Sequence, residues 1–212
     1  MAPLEPVPAG DAWEQRRILV SLRIERAGLA LMCEHGPDDV TVEQISREAD
    51  ISVRTFFRYF RNPSDILTAV PARESRRMCD ALLARPPGES LLDGFHAWFR
   101  EIDHGRDPST PTGALEAETV LLWSAVVREA PELIQSESRA LIVLSADLRE
   151  VVRHRLGFGV ADEEQVGVLS AALAAVIWYV YARSLENDPT ELMTRLDRAF
   201  DLLELLHSGA PV

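Results

Sequence analysis

Apolar residues recur at helical spacing along nearly the whole chain, and no run alternates apolar and polar residues as a half-buried strand would. Proline and glycine divide this pattern into about nine segments, with helices predicted near 17–35, 42–49, 52–60, 63–85, 90–104, 114–129, 132–156, 162–187 and 189–207. Pro71 lies inside the fourth segment and predicts a kink or a split there. The sequence therefore predicts an all-α fold.

The stretch from Thr41 to Leu67 contains two short helical patterns separated by a tight turn. Thr41 and Gln44 have the spacing of a capping box at the start of the first helix. Asp50 tolerates the left-handed backbone of a tight turn, and Ser52 is a favoured N-cap for the second helix. A helix-turn-helix of this kind can hold its second helix against the edges of DNA bases.

The second of these helices has two chemically different sides. Its predicted packing face has the spacing i, i+3, i+4 and i+7 and consists of Val53, Phe56, Phe57 and Phe60. The opposite side carries Ser52, Arg54, Thr55 and Arg58, with Tyr59 at its edge. Guanidinium and hydroxyl groups suit phosphate oxygens and base edges, whereas charge alone would equally fit a solvated helix face.

The segment from about Arg16 to Leu67 resembles the N-terminal DNA-binding domain of the TetR family of bacterial transcriptional regulators. The resemblance rests on the first helix ending before Gly36 and on the string from Ile51 to Phe60, ISVRTFFRYF. Three prolines predict a flexible tail at residues 1–12, and the resemblance implies a helix-turn-helix domain at 13–61. A helical effector-binding and dimerisation domain would follow at 62–212.

The same resemblance assigns roles to individual residues. It implies base contacts from Arg54 and Thr55, and phosphate contacts from Arg16, Arg17, Thr41, Phe57, Arg58 and Tyr59. Ser52 joins them as a candidate because it lies on the same side of the helix. The family commonly has glycine at position 50, tyrosine at 57 and lysine at 63, where this chain has Asp50, Phe57 and Pro63. Fewer phosphate contacts are therefore expected.

The charge distribution modifies this picture. The chain has a formal net charge of −12, yet residues 13–61 contain eight arginines and eight acids and are therefore neutral. The remaining chain holds 14 arginines against 26 acids, and lysine is absent from the sequence. We expect the acidic part to repel DNA and so to orient the protein on a duplex, and we expect weak non-specific binding.

The last two-thirds of the chain suggest a small-molecule pocket and a dimer interface. Aromatic and polar residues on several helices could line an apolar pocket or simply fill the core; these candidates are Phe95, His96, Trp98, Phe99, Trp123, Arg128, Trp178 and Tyr179. Small and apolar residues of the last two helices are the candidates for the dimer interface, namely Ala171, Ala175, Leu192, Leu196, Ala199 and Leu203. The alternative for these helices is that they cover the core of one chain.

A fainter resemblance, around the segment from Val120 to Gly157, is to actinobacterial TetR-like regulators with an acyl-CoA-type ligand-binding domain. It implies a fatty acyl or similarly lipophilic effector. The regulator hypothesis thus predicts a homodimer, a double-stranded operator and a small apolar effector, with no cofactor. The alternative hypothesis is a helical adaptor without an effector.

Other classes of protein find little support in the sequence. It contains no GxSxG, HExxH, P-loop or GxGxxG motif. Two Glu-x-x-His pairs occur at predicted helix ends, Glu101 with His104 and Glu204 with His207, where a di-iron bundle would need them at mid-helix. The N-terminus lacks the pattern of a signal peptide, and no apolar run has the length of a membrane span. We therefore expect a cytoplasmic protein that is neither an enzyme nor a metalloprotein.

Overall fold

The computed structural model describes residues 9–86, 88–101, 109–130, 133, 138–157, 159, 162–186 and 194–201. The helices are α1 (Ala9–His35), a 3-10 turn (Pro37–Asp39), α2 (Val42–Glu48), α3 (Val53–Tyr59), α4 (Ser64–Ala84), α5 (Leu91–Glu101), α6 (Pro111–Glu129), α7 (Ser138–Leu156) and α8 (Glu163–Glu186). Residues 194–201 are also helical, and no strand occurs among the described residues. The prediction of an all-α fold with about nine helices is confirmed.

Three helices differ from the predicted ones. Helix α1 begins at Ala9, within the segment predicted as a flexible tail, of which residues 1–8 lie outside the described part. Helix α4 is continuous across Pro71, so the predicted split is not present. Helix α6 begins at Pro111, inside a predicted loop, because the Thr110 hydroxyl accepts a hydrogen bond from the Gly113 amide at 3.1 Å. Threonine as N-cap followed by proline is a favoured helix start.

The fold divides into two compact units. The first contains the described residues of Met1–Val70 and His104–Val126, and the second those of Pro71–Asp103 and Val127–Val212. Two of the three boundaries between the units fall within a helix, one in α4 and one in α6. The first unit thus contains more than the three N-terminal helices, since most of α6 belongs to it.

A core of fully buried apolar side chains holds the first unit together. These side chains are Leu22, Ile24 and Leu29 of α1, Ile45 of α2, Phe56 of α3 and Ile66 of α4. Gly28 allows the close approach of α1 and α4, because a β-carbon there would lie 2.5 Å from the Ile66 side chain. Helix α6 is tied to this unit by an ion pair between Arg26 and Glu118, whose atoms lie 2.8 Å apart.

The second unit has its own core between α4, α5, α7 and α8, joined by the helical residues 194–201. Phe95, Leu148, Val151, Val152, Val166 and Leu196 are fully buried in it. The Ser75 hydroxyl of α4 donates a hydrogen bond of 2.7 Å to the carboxylate of Asp147 on α7. Gly157, with a φ of 72°, ends α7 as the sequence pattern predicted.

A buried arginine fixes the connection between α4 and α5. The Arg155 side chain at the end of α7 is only 5% exposed and donates hydrogen bonds to the backbone carbonyls of Arg85, Pro86 and Glu89. The carbonyls of Arg85 and Pro86 directly follow the last turn of α4, and that of Glu89 lies two residues before α5. The guanidinium therefore takes over the role of a C-terminal cap from a different helix.

Candidate nucleic-acid interface

The turn between α2 and α3 is a Schellman motif built on an aspartate. Asp50 has a φ of 52°, the left-handed conformation that glycine usually supplies at this point. The Ile51 amide donates to the Ser46 carbonyl at 2.9 Å and the Asp50 amide to the Arg47 carbonyl at 3.2 Å. The expectation that Asp50 supports a tight turn is confirmed, so the departure from glycine leaves the turn intact.

Both helices of the motif are capped by their own sequence. The Thr41 hydroxyl accepts from the Gln44 amide at 3.3 Å, while the Gln44 side chain accepts from the Thr41 amide at 2.8 Å, which completes the predicted capping box. The Ser52 hydroxyl accepts from the Thr55 amide at 3.1 Å and lies 2.8 Å from the Thr55 hydroxyl. These bonds fix where α3 begins, and they also engage the hydroxyls of two predicted DNA contacts.

The exposed face of α3 differs from the predicted one. Within Val53–Tyr59 only Arg54, Phe57 and Arg58 are exposed, at the spacing i, i+3 and i+4. Phe57 had been predicted to join the packing face, but its side chain is 56% exposed while Phe56 is fully buried. Phe56 occupies the core position, and Phe57, about 100° further around the helix axis, lies outside it.

Two arginines at the edge of this face are held by neighbouring groups. The Arg58 guanidinium lies 5.2 Å from the centre of the Tyr59 ring. Arg17 of α1 lies 2.6 Å from the Glu14 carboxylate, and this hydrogen bond, with a smaller contribution from Tyr59, raises the pKa of Arg17 above its usual value. Arg17 must therefore loosen its pairing with Glu14 to reach a phosphate.

Helix α4 starts immediately after this surface. Asn62 accepts from the Asp65 amide at 3.0 Å and Pro63 follows it, so the expected helix start after Asn62 is confirmed. Arg61 makes two hydrogen bonds of 2.9 Å with the Asp65 carboxylate, which raise the pKa of Arg61. Arg61 is thus engaged within the protein, whereas no such bond to Arg54 is found among the described residues. Arg16 is exposed at the start of α1.

The residues predicted to line a pocket are not all brought together. Phe95 is fully buried in the second unit, with Trp98 and Phe99 packed against its core, and Trp178 is half-buried. His96 also belongs to this unit, and its Nε2 lies 2.5 Å from the Asp197 carboxylate.

The remaining three predicted pocket residues lie elsewhere. Trp123 is buried in the first unit, where its indole nitrogen donates a hydrogen bond of 2.7 Å to the Leu67 carbonyl. Arg128 and Tyr179 are exposed. Spacing along the chain does not reveal which positions of a helix face inwards, so the sequence could not separate these three residues from the buried aromatics of the second unit.

The predicted dimer residues separate in the same way. Ala171 and Ala175 are exposed on α8, whereas Leu196 is fully buried and Ala199 packs against the same core, so Leu196 is a core residue rather than an interface residue. Leu192 and Leu203 lie outside the described residues. The apolar segment Glu163–Tyr181 of α8 is long and apolar enough to cross a membrane, and only 28% of it is buried in one chain. A helix of this kind is weak evidence for a membrane protein.

The two cysteines have different surroundings. Cys33 is exposed, whereas burial and the nearby carboxylates of Asp147 and Asp80 raise the pKa of Cys79 to about 12. Cys79 therefore remains a protonated thiol at neutral pH, which disfavours a redox role for it. Among the described residues no three His, Cys, Asp or Glu side chains come together as metal ligands. Both Glu-x-x-His pairs fall outside the described side chains.

Several structural contacts were not foreseen from the sequence. The Arg155 bonds and the Ser75–Asp147 bond join residues far apart in the chain. The partner of the Leu67 carbonyl was also missed, although Pro71 gave a signal. Since proline has no amide hydrogen, it cannot donate to the carbonyl four residues earlier, and some other group had to do so.

An N-terminal helix-turn-helix with two arginines exposed on its second helix defines a DNA-binding protein. Comparison with known proteins agrees. Residues 24–70 match the family model described as "Bacterial regulatory proteins, tetR family". The HTH-type transcriptional regulator TcmR of Streptomyces glaucescens is 26% identical over 204 residues, covering 92% of this chain and 88% of that protein. The HTH-type transcriptional repressor KstR of Rhodococcus jostii (strain RHA1) is 33% identical over 102 residues, or 47% of this chain and 46% of that protein.

Residues 24–70 are thus similar to the TetR family of bacterial regulatory proteins, and the two relatives are named an HTH-type transcriptional regulator and an HTH-type transcriptional repressor. The matched segment includes α2, α3, the turn between them and the first residues of α4. Members of this family bind DNA operators and small-molecule effectors, typically as dimers.

Proposed function

We propose that this protein is a repressor that binds a palindromic operator as a homodimer and leaves it when a small lipophilic effector binds. The observation that carries the proposal is the exposed face of α3. Two arginines stand out from a helix whose start is fixed by Ser52 and whose opposite face is anchored by the fully buried Phe56. Such a helix can enter the major groove without rearranging. The relative from Rhodococcus jostii is itself named a repressor.

Arg54 is the proposed base-reading residue. It is exposed near the N-terminus of α3, the end from which helix-turn-helix proteins contact bases, and an arginine pairs best with the O6 and N7 atoms of guanine. Thr55 is half-buried, and its hydroxyl is hydrogen-bonded to the Ser52 hydroxyl at the start of α3. This hydroxyl would therefore stabilise the helix start in addition to contacting a base. Arg58, with Tyr59, Thr41, Arg16 and Arg17 around it, would bind phosphates and set the orientation of the helix.

The proposed dimer uses the exposed side of α8. Val168 and Tyr179 are 63% and 61% exposed, and Ala171, Ala172 and Ala175 are exposed between them at helical spacing. The buried side of the same helix, including Val166, already packs on the core of its own chain. A second copy of α8 would cover this apolar stripe, and the small alanines permit close approach. A twofold dimer would also place two α3 helices on two half-sites.

The proposed effector site lies in the second unit. Phe95, Trp98, Phe99 and Trp178 provide an apolar surface there, and His96 with Asp197 provides a polar group at its edge. A fatty acyl or similarly lipophilic molecule fits this chemistry. Effector binding would act on α4, which continues from the second unit to the residues directly following α3. We expect operator and effector to oppose each other by about 1–3 kcal/mol.

Selection from a pool of random DNA duplexes tests the proposal. A regulator will enrich a palindrome with two equivalent half-sites, whereas an adaptor protein or an enzyme will enrich none, and that result would exclude the proposed function. Native mass spectrometry of protein isolated from its own host then tests the effector. A lipophilic molecule that co-purifies and releases the selected operator supports the switch. A protein that never yields such a molecule under any growth condition contradicts it.

Two arginine substitutions separate base recognition from phosphate binding. Arg54→Ala is expected to lose about 1–3 kcal/mol on the selected operator and to tolerate other bases at one position of each half-site. Arg58→Ala is expected to weaken binding to all sequences. It is also expected to reduce the slope of log affinity against log salt concentration by about one per subunit. Fluorescence anisotropy on the operator and its single-base variants, at several salt concentrations, measures both effects. Identical profiles for the two variants would contradict the assignment.

A charged substitution on α8 tests the dimer. Ala175→Glu would bury an unpaired carboxylate in the proposed interface, and we expect the dimer dissociation constant to rise by about two orders of magnitude or more. Sedimentation equilibrium measures this constant directly. Ala114→Glu is the matched control, because Ala114 is also an exposed helical alanine but lies on α6. An Ala175→Glu variant that dimerises as tightly as the control would rule out this face.

A further inference from the structure

The exposed phenylalanine of α3 is not explained by packing or by phosphate binding. Phe57 is 56% exposed, although a phenylalanine side chain gains most from complete burial. A benzene ring has no hydrogen-bond donor, so it cannot satisfy a phosphate oxygen and would displace water from it without compensation. Phe57 is nevertheless exposed one helical turn from Arg54, on the face of α3 that is proposed to enter the major groove.

The position of the ring is well defined. Its centroid lies 5.6 Å from that of Phe56, with the ring planes at 89°, an edge-to-face arrangement. Phe56 is itself fully buried and cannot move without disrupting the core of the first unit. The contact with Phe56 supports the Phe57 ring on one edge and leaves its exposed part available to a partner.

The major groove offers one feature that rewards an apolar contact. Among the four bases only thymine presents a methyl group there, whereas the remaining groove-facing atoms of the bases are hydrogen-bond donors and acceptors. Arg54, through a base edge, and Arg58, through a phosphate, would hold this exposed face of α3 in the groove and bring the ring with it. A ring one helical turn from Arg54 lies within one or two base pairs of the base that Arg54 contacts.

We propose that Phe57 is a specificity-determining residue that recognises the C5-methyl group of a thymine in each half-site. The inference deepens the proposed function and rests on it, since it assumes that α3 occupies the major groove. The role of Phe57 predicts that each half-site has a thymine at a fixed position beside the guanine that Arg54 contacts. Phe57 thereby acts on the sequence of the operator, rather than on the phosphate backbone where the family resemblance had placed its counterpart.

Removal of a single methyl group tests the assignment. In the selected operator, each thymine of a half-site is replaced in turn by deoxyuridine, which keeps the base pair and loses only the methyl group. We expect one thymine, next to the guanine that Arg54 requires, at which binding weakens about fourfold per half-site and roughly fifteenfold when both half-sites are changed. Anisotropy titrations against the unmodified operator give these ratios.

Variants of the protein then connect the methyl group to the ring. Phe57→Ala, whose side chain is largely exposed, should fold normally and bind the thymine and deoxyuridine operators equally well. Arg58→Ala is the control, because it weakens binding to both operators but should keep the ratio between them. As a second pair of probes, 5-methylcytosine at that position should bind more tightly than cytosine in the wild-type protein and not in Phe57→Ala.

The possible outcomes separate the two proposals. Failure to select any palindrome would contradict the proposed function and the role of Phe57 together. A selected operator in which no deoxyuridine substitution changes affinity would overturn only the role of Phe57 and assign its ring to the sugar-phosphate backbone. An equal loss at the same thymine in wild type and Phe57→Ala would show that another residue contacts the methyl group. The proposal is supported if replacing this thymine by deoxyuridine weakens binding of the wild type and of Arg58→Ala, but does not weaken binding of Phe57→Ala.

Discussion

Replacing Trp123 by phenylalanine is expected to destabilise the first unit by about 2–4 kcal/mol, mostly through one hydrogen bond. Trp123 is 3% exposed, and its indole nitrogen donates to the Leu67 carbonyl at 2.7 Å. In an ordinary helix the amide four residues later would bind this carbonyl, but that residue is Pro71. Loss of the indole therefore leaves a buried carbonyl without its donor, in addition to a smaller ring in the core.

A second substitution isolates the hydrogen bond from the packing. Pro71→Ala provides an amide hydrogen at the helical position, so that Leu67 regains a donor when the indole is removed. Trp123→Phe should then cost about 1–2 kcal/mol less in the Pro71→Ala protein than in the wild type. Urea unfolding of the four proteins, followed by circular dichroism, measures this coupling. Equal costs in both backgrounds would show that the Leu67 carbonyl does not depend on Trp123.

The contact also has a functional consequence if the proposed switch is correct. Leu67 lies in the first turns of α4, directly after the DNA-binding helix, and Trp123 lies on α6. The hydrogen bond therefore holds the start of α4 against a helix that is distant in sequence, within the same unit. Trp123→Phe should accordingly reduce operator affinity, whereas the double variant with Pro71→Ala should recover part of it.

Replacing Arg155 by alanine is expected to destabilise the second unit by about 3 kcal/mol or more. The Arg155 side chain is 5% exposed and serves three backbone carbonyls, those of Arg85, Pro86 and Glu89. No water can easily replace a guanidinium that reaches three acceptors at once. The connection between α4 and α5 should lose its fixed conformation, and the midpoint of urea unfolding should fall.

The matched control lies two residues earlier on the same helix. Arg153 pairs with the Glu163 carboxylate at 2.6 Å and with that of Glu150 at 3.0 Å, and both carboxylates are largely exposed to solvent. Arg153→Ala should therefore lower the midpoint of urea unfolding much less than Arg155→Ala does. Arg155→Lys should fall between the two, since an ammonium group cannot match the guanidinium geometry. Similar losses for Arg153→Ala and Arg155→Ala would contradict the role of Arg155 as a cap.

Most of the fold followed from the sequence because helix formation depends on nearby residues. The capping box of Thr41 and Gln44, the turn at Asp50 and the caps at Ser52 and Asn62 each involve residues within five positions of one another. Such signals survive whatever surrounds them. Composition and local pattern were therefore sufficient for the all-α class and for the location of the helix-turn-helix.

The candidate sites were less predictable because burial depends on distant segments. Phe56 and Phe57 are adjacent and identical in chemistry, yet the first is fully buried and the second is 56% exposed. Likewise Trp123 was grouped with the aromatics of the second unit, and Leu196 with an interface, although both belong to the core of a unit. An apolar periodicity indicates that a helix has an inner side, but several neighbouring positions at its margin satisfy the same pattern.

The sequence by itself determined that this is a helical regulator with a helix-turn-helix near its N-terminus, since caps, turns and helical spacing are local properties. Only the tertiary structure decided which side chains are available for function. Arg54, Phe57 and Arg58 are exposed on α3. Trp123 donates a hydrogen bond to the Leu67 carbonyl, which Pro71 cannot bind, and Arg155 donates to the carbonyl that follows α4. These outcomes depend on which distant surfaces meet when the core forms, and that information is spread over the whole chain.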